Sequence, residues 1–594
     1  MSPRGIEGDV RPLAWGERLD ILDALTMVLE GVYVHLPLKR ALYGFDVIRG
    51  LANLRQQVPS LTDLEFHREL TSLVNRLRDA HTQYRGPWMV PDAVASLPFL
   101  VEAFGPADRP TYVVSKIDRR AIKDRRFVPG VTIEYWNGVP FRRAVEVHAE
   151  RETGGRPDAR RARALESLTF RALEFAPPPD EEWVVVGYRD REGRARQVRL
   201  AWETIEPGRA PVASNKVGTR IRRGIDHAAE AVRRAKKFRF NRGLWRAERA
   251  APFADFLTAR TVTTRSGRFG YLRIWSFDVD DDQAFVEAAI RLLRRLPDRG
   301  LIIDLRSNPG GFIWAAERLL QLFTPHPVMP TRFALRATPV TSALARAALT
   351  RAELAPWAAS LFAAERTGEP YSSHLPITPP ERCNDVGQQY GGPVLVIVDA
   401  NTYSSGDLFA AGIVDNRIGP VLCIGEATGA GGANVWRSDD LRAALSSAKV
   451  PLPQLPEGVS FTVAVRRAVR TNDAEGSLIE DAGVAGQPYE MTRRDIFGSN
   501  RDLIERCGEI LAAQPRTRLE VGHRGRARTL SVRTGGIEEL DLYVNGRTGG
   551  PTIAVNRGGT LRVPLPPHAR EVELVGFAGG VVRQRRRLTI ARRP

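Results

Sequence analysis

The segment DANTYSSGDLFAAGIVDN, residues 399–416, sets two adjacent serines, Ser404 and Ser405, between an apolar run and an amphipathic helix pattern. A second junction, NPGGF, places Gly310 and Gly311 after the apolar run GLIIDL. A serine hydroxyl at such a junction can attack a carbonyl, and backbone amides beside it can hold the oxyanion that forms, a large term in acyl transfer. Glycines let those amides approach a substrate with no Cβ in the way. Taken singly, the same residues also read as architecture: Ser-Ser as a helix N-cap and Gly-Gly as a turn.

The elements around these junctions predict what holds them. FGYLRIWSF reads as a strand, DDQAFVEAAIRLLRRL as an amphipathic helix, GLIIDLRSNPGG as a buried strand with a glycine turn, and FIWAAERLLQLF as the next helix. A helical, proline-punctuated insertion spans about 328–390, and GPVLVIVDA is another buried strand. This alternation over 256–510 predicts an α/β layer with a largely parallel sheet. Sites form in such sheets where strands end and helices begin, because helix N-termini present unpaired N–H groups.

Four further regions flank this core. Residues 1–90 carry helical periodicity in ERLDILDALTMVLEGVYVHL and LTDLEFHRELTSLVNRLRDA, which runs into DAHTQYRG and His81. Residues 91–205 turn to short β-branched and aromatic runs punctuated by NG and REGR, a β-rich module. Residues 206–255 form a basic helical linker containing RRAKKFRFNR, read as a solvated face rather than a polyanion groove. Residues 515–594 hold strands only, a small β-sandwich.

FGYLRIWSF, GLIIDLRSNPGG, GPVLVIVDANTYSSGDLFAAGIVDN and GPVLCIGEATGAGG, in this order over about 260–490, resemble the carboxyl-terminal processing protease family, including the catalytic core of tricorn protease. The resemblance implies a multidomain α/β protein with a ClpP/crotonase-like serine protease core. It places the nucleophile at Ser404, an acidic helix-start residue at Asp407, and the oxyanion hole at the Ser405 amide with Gly310 or Gly311. Processing enzymes of this family carry a lysine base in a stretch like GExTFGKG; here GEATGAGG puts Gly431 at that position, so a Ser–Lys dyad is not expected. Tricorn-like members use a histidine in a motif like LxDxHT, and LRDAHTQY matches it at His81. Their late glutamate motif resembles LIEDAGVAGQP, which implies Glu480 as the group orienting His81, with Asp481 as its neighbour and rival. Ala80 stands where tricorn has a serine, and Asp79 is expected to cap the turn. FVPGVTIEYWNGVPF resembles the PDZ signature, with Val131 where an acidic residue is common, and implies a module that binds a peptide by strand addition or serves as a scaffold for His81.

The expected function is hydrolysis of peptide bonds in peptides or unfolded polypeptides, with Ser404 as nucleophile, His81 as base and no metal or cofactor required. The alternative is a decayed protease scaffold acting as a peptide-binding or assembly protein. Over 594 residues the net charge is +18, yet no nucleic-acid module accompanies it, so a nucleic-acid partner is not expected. The charge is carried mostly by Arg, as a GC-rich bacterial genome would produce. Cys383, Cys423 and Cys507 are too scattered for a zinc knuckle or disulfide framework. The start has no secretory apolar core and no run nears the ~20 residues that span a bilayer, so the expectation is a cytoplasmic protein without membrane contact. Composition leaves open a homo-oligomer and a dedicated partner at the C-terminal domain.

Overall fold

The computed structural model describes residues 12–87, 93–206, 217–241, 253–523, 529–556 and 560–590. The N-terminal region is helical: α1 (Trp15–Gly31), α2 (Leu36–Tyr43), α3 (Val47–Gln57) and α4 (Asp63–Asn75). The long periodic run of the sequence is two helices, because the chain turns at Val32–His35 and buries Val32, Tyr33 and Val34 completely. Asp46 caps α3, and the Thr62–Glu65 capping box starts α4. Among the described residues no single helix is long and apolar enough to cross a membrane; α1 and α2 reach that composition only as a pair bent by 92°.

After α4 the chain forms β1 (Gln83–Arg85), then the β module, whose main sheet pairs strands between Phe99 and Ala201. Its Asn137-Gly138 hairpin has both residues at positive φ, 49° and 80°, which a two-residue turn between twisted strands demands. The linker holds a three-residue strand, β2 (Arg223–Ile225), and helix α5 (His227–Phe240). The sequence reading of 206–255 as a basic helical linker with a solvated face needs correction over 217–241. Lys236 pairs with Glu166, Lys237 with Asp255 at 2.6 Å and Arg239 with Glu203 at 2.7 Å, so the basic helix is stitched into its neighbours. Residues 209–216 and 242–249 of the basic run lie outside the described residues.

The core sheet has the order β3 (Leu257–Thr264), β4 (Gly267–Ile274), β5 (Leu301–Asp304), β7 (Val394–Asp399), β8 (Val421–Ile424), β10 (Gln487–Tyr489). Only β3–β4 is antiparallel; the other neighbours run parallel. Alternate residues face opposite layers, as the two-residue strand period requires. Leu301, Ile303, Val394, Val396 and Val398 join the larger core, while Ile302, Leu395 and Ile397 pack with Leu503, Cys507 and Leu511 of the helix Arg501–Ala512. Between β5 and β7 lie β6 (Gly310–Phe312), α6 (Ile313–Leu320) and the insertion, whose helices Pro339–Arg346 and Arg351–Thr367 agree with the sequence reading. Helix α7 (Ser405–Asp415) follows β7 and packs tightly on α6, where a Cβ on Gly412 would lie 2.3 Å from Leu320.

A second sheet joins the N-terminal region to the core: β9 (Ser460–Val469) pairs with β1, with Ala433–Arg437 and with Arg332–Leu335. The described strands between Arg518 and Thr589 form a three-stranded and a five-stranded sheet that share a core around Leu530, Val532, Leu540 and Leu574. The three cysteines are buried and free.

Candidate active site

Two strand-to-helix junctions meet where β5 and β7 end. Asp304 closes β5 and holds Arg306 at 2.7 Å, while its backbone oxygen accepts from Arg273 at 2.8 Å. Burial alone would raise the Asp304 carboxyl, but the two guanidiniums hold it well below the usual range. The turn that follows is tied to the next junction: Ser307 N–H donates to Asp399 at 2.8 Å, and Tyr403 N–H donates to the Asn308 backbone oxygen at 2.8 Å. Thr402 Oγ1 donates to the Leu305 oxygen at 3.0 Å. These bonds fix Ser404 in a backbone conformation with φ 61° and ψ −120°, a non-glycine residue held off the common regions at a helix start.

Ser404 Oγ lies 2.7 Å from His81 Nε2, across 323 residues of sequence. His81 sits in the turn between α4 and β1, and that turn is docked on β9: Thr82 Oγ1 accepts from Ala464 N–H at 3.1 Å. Asp79 caps the turn as expected, accepting from His81 N–H at 2.8 Å and Thr82 Oγ1 at 3.0 Å. His81 and Ser404 are both fully buried. Burial pushes the imidazole down to about 4, against the pull of Asp79 and Asp226, so it is neutral at pH 7.

Glu480 is near this pair but does not hydrogen-bond it directly. Asp79, His81 and Glu480 each bring a nitrogen or oxygen within 4.8 Å of the others, and among the described residues His81 Nδ1 has no hydrogen-bond partner. The Glu480 carboxylate instead accepts from Lys39 at 2.6 Å and from Gly432 N–H at 3.0 Å. The orienting role that the resemblance implies therefore has no direct bond behind it, because a lysine from α2 holds the carboxylate. Asp481 also binds Lys39, at 2.7 Å, and Tyr43 at 3.0 Å. Burial alone would depress the Lys39 ammonium, yet Glu480, Asp481 and Asp79 more than reverse this and keep it protonated. Burial and the nearby carboxylates push Glu480 up, and Lys39 is the group pulling it back.

The structure explains the missing lysine of GEATGAGG. A Cβ on Gly431 would lie 2.4 Å from the ring of Tyr403, which fills that place with its centroid 4.8 Å from that of the His81 ring, the two planes tilted by 50°. The loop itself wraps Asp407, whose carboxylate accepts from the N–H groups of Ala430 and Gly431 at 3.0 Å each; burial raises Asp407 to about 6. Lys449 lies elsewhere, after the helix Ser438–Ser447.

The glycine turn sits against the serine. A Cβ on Gly310 would lie 2.7 Å from Ser404 Cβ and 2.9 Å from Ser405 N, and both glycines have positive φ, 96° and 145°. Gly310 N–H already donates to Asn308 Oδ1 at 2.9 Å, which leaves Gly311 as the better donor of the two. β6 is covered by β2 in antiparallel register, with Gly224 opposite Gly311. Ser405 Oγ donates to the Gly224 oxygen at 3.1 Å. Replacing Gly310 by alanine would push a Cβ against Ser404 and the Ser405 amide, and displacing that donor is expected to lower kcat/KM by about 10²–10³-fold, the scale of a lost oxyanion contact. Steady-state kinetics on the folded variant checks this; unchanged kinetics would remove the turn from the reacting centre.

Sequence reasoning missed Lys39, Tyr403 and Gly224. Lys39 is one of two adjacent basic residues on a short amphipathic helix, and only tertiary packing reveals its partners.

Residues 268–473 match the model of peptidase family S41, and residues 93–210 match a PDZ domain. No curated protein sequence matches the chain. Among solved structures, mature CPAF superposes with a TM-score of 0.59 at 18% identity, covering 84% of this chain and 98% of that one. The photosystem II D1 C-terminal processing protease gives 0.36 at 14% identity, covering 80% and 94%. Tricorn protease gives 0.36 at 14% identity, covering 84% and 37%. Residues 268–473 thus form a peptidase domain of family S41, a family of serine-type hydrolases, with a PDZ domain ahead of it.

Proposed function

We propose that the protein cleaves peptides or unfolded polypeptides through Ser404 and His81. The observation that carries this reading is the 2.7 Å contact between Ser404 Oγ and His81 Nε2 at a strained strand-to-helix turn. Ser404 Oγ attacks the peptide carbonyl carbon while His81 Nε2 accepts its proton. The oxyanion is held by the backbone amides of Ser405 and Gly311. His81 returns the proton to the leaving amine, the C–N bond breaks, and an acyl-serine remains. Water then attacks that ester with His81 again as base, which releases the acid and restores the serine.

The imidazolium formed on the way is offset by the carboxylates of Asp79 and Glu480. Asp79 is held by its own turn and Glu480 by Lys39, so neither has to move. Preorganised charge of this kind costs no reorganisation when the proton arrives. The form described here is closed: β2 lies along β6, and a peptide must displace it to reach the serine.

A serine-directed fluorophosphonate tests the assignment. The expected result is a single adduct mapped by peptide mass spectrometry to Ser404 and lost in His81→Ala. An adduct on Ser405, or one indifferent to His81, would overturn it.

A further inference from the structure

The strand that covers the site is placed as a substrate would be. An extended peptide can bring a carbonyl to the Gly311 and Ser405 amides only by pairing with the edge of β6, and residues 222–226 already do so. Ile313 N–H donates to the Arg222 oxygen at 3.2 Å and Asp226 N–H to the Pro309 oxygen at 2.9 Å, on either side of the Gly224–Gly311 pair. The Gly224 oxygen lies 2.3 Å from where a Gly310 Cβ would stand and accepts from Ser405 Oγ at 3.1 Å. That oxygen therefore sits between the glycine turn and the residue that follows the serine.

The side chains along this strand each meet a complementary group. Arg223, one residue before the glycine, is 8% exposed and binds Asp278, Asp280 at 2.5 Å and the Val279 oxygen at 3.2 Å. Arg222 donates to Glu353 at 2.8 Å and lies over the Trp314 ring. Ile225 is buried, and Asp226 pairs with Arg163 at 2.5 Å. A Cβ on Gly224 would come within 2.6 Å of Ser404 Oγ and 2.9 Å of the Ala433 backbone oxygen, so the position takes only the smallest residues.

We propose that Ile221–Asp226 is a built-in image of the substrate, and that the site selects a basic residue immediately before a small residue at the cleaved bond, with Asp278 and Asp280 as the specificity-determining pair. This rests on the reading of Ser404 as the nucleophile. Asp278 follows β4 and is joined to the site through Phe277, whose bridge to Gly311 flanks the glycine turn. Its surroundings require a cation. Burial raises the Asp278 carboxyl, Asp280 and Glu230 add negative charge, and Arg223 is the main group that offsets them, with Arg233 behind Glu230. When β2 leaves, Asp278 and Asp280 lose the Arg223 guanidinium beside the reacting centre. A substrate guanidinium or ammonium restores the pairing, while a substrate carboxylate there meets two like charges.

The test uses the full chain and synthetic peptides spanning residues 219–228, with the arginine equivalent to Arg223 kept, or replaced by lysine or glutamate. Anisotropy with the Ser404→Ala protein measures binding, and mass spectrometry with the unmodified protein measures cleavage. Competition from β2 lowers every apparent affinity by the same factor, so the ratio between peptides is the readout. The expected result is arginine and lysine peptides favoured about 100-fold over the glutamate peptide, cleavage between the Gly and Ile equivalents, and a preference that falls to a few-fold in Asp278→Asn/Asp280→Asn. Equal use of all three peptides, or a preference unchanged in the double variant, would overturn the substrate image while leaving the peptidase intact. Selective binding without any cleavage would overturn the nucleophile assignment and leave the specificity standing. Neither binding nor cleavage would overturn both.

Discussion

Replacing His81 by alanine is expected to lower turnover by on the order of 10⁴-fold or more while leaving the fold in place, since serine hydrolysis without its base falls back on the oxyanion hole and binding alone. His81 packs on Tyr403 in a turn held by hydrogen bonds from His81 N–H and Thr82 Oγ1 to Asp79, and neither of those bonds needs the imidazole. The wild-type pH profile carries the complementary signature. A neutral imidazole accepts the proton, so kcat/KM is lost as pH falls through the His81 pKa. Burial places that pKa at about 4 in the closed form. Admission of water on opening moves it back towards the ordinary 6.5, so the rise of kcat/KM should be centred between these values. A rise centred near pH 9 would point to a lysine base instead.

Lys39→Met is expected to have the largest effect on stability. The substitution keeps most of the side-chain volume but leaves Glu480 and Asp481 without their shared cation. Breaking a buried pair by removing one partner costs about 3–5 kcal/mol. The sign of the pH dependence follows from the carboxylates. Burial already raises Glu480, and loss of Lys39 raises it further. The folded variant then binds more protons than the unfolded chain between the unfolded pKa of about 4.5 and the raised folded value. Its stability therefore falls as pH rises through that window. Denaturant melts at a series of pH values should show a deficit relative to wild type that is largest at neutral pH and shrinks towards pH 5. A constant deficit across that range would assign Lys39 to packing alone.

Lys39 also marks the limit of what the sequence could reveal. The junctions at Gly310–Gly311 and Ser404–Ser405 were legible because short, local patterns encode them: an apolar run, a glycine or serine turn, then helical periodicity. The α/β core, the Asn137-Gly138 hairpin and the terminal strands follow from the same kind of signal. His81 was legible only through motif order, since nothing local distinguishes it from a capping residue, and its distance from Ser404 is set by the docking of β1 on β9. The partners of Glu480 were not legible. The lysine absent from position 431 is replaced in space by Tyr403, and a different lysine reaches the neighbouring carboxylate from a helix near the N-terminus.

The misreading of 206–255 has a physical cause. Three strand residues inside an arginine-rich run have no periodicity to detect, and Arg223 looks in sequence like any other surface charge. Its placement is tertiary, decided by the free edge of β6 and the acidic residues after β4. The described part of the basic run is therefore engaged with acidic groups of the same chain, which accounts for much of its charge without a polyanion partner.

The central claim is that Ser404 performs peptide hydrolysis, and the most direct measurement is cleavage of a diverse unstructured peptide mixture, read by mass spectrometry, for the wild-type chain and Ser404→Ala side by side. The account predicts defined products from the wild type that vanish in the variant. Products that persist in Ser404→Ala would contradict it, as would a wild-type chain that leaves every peptide intact.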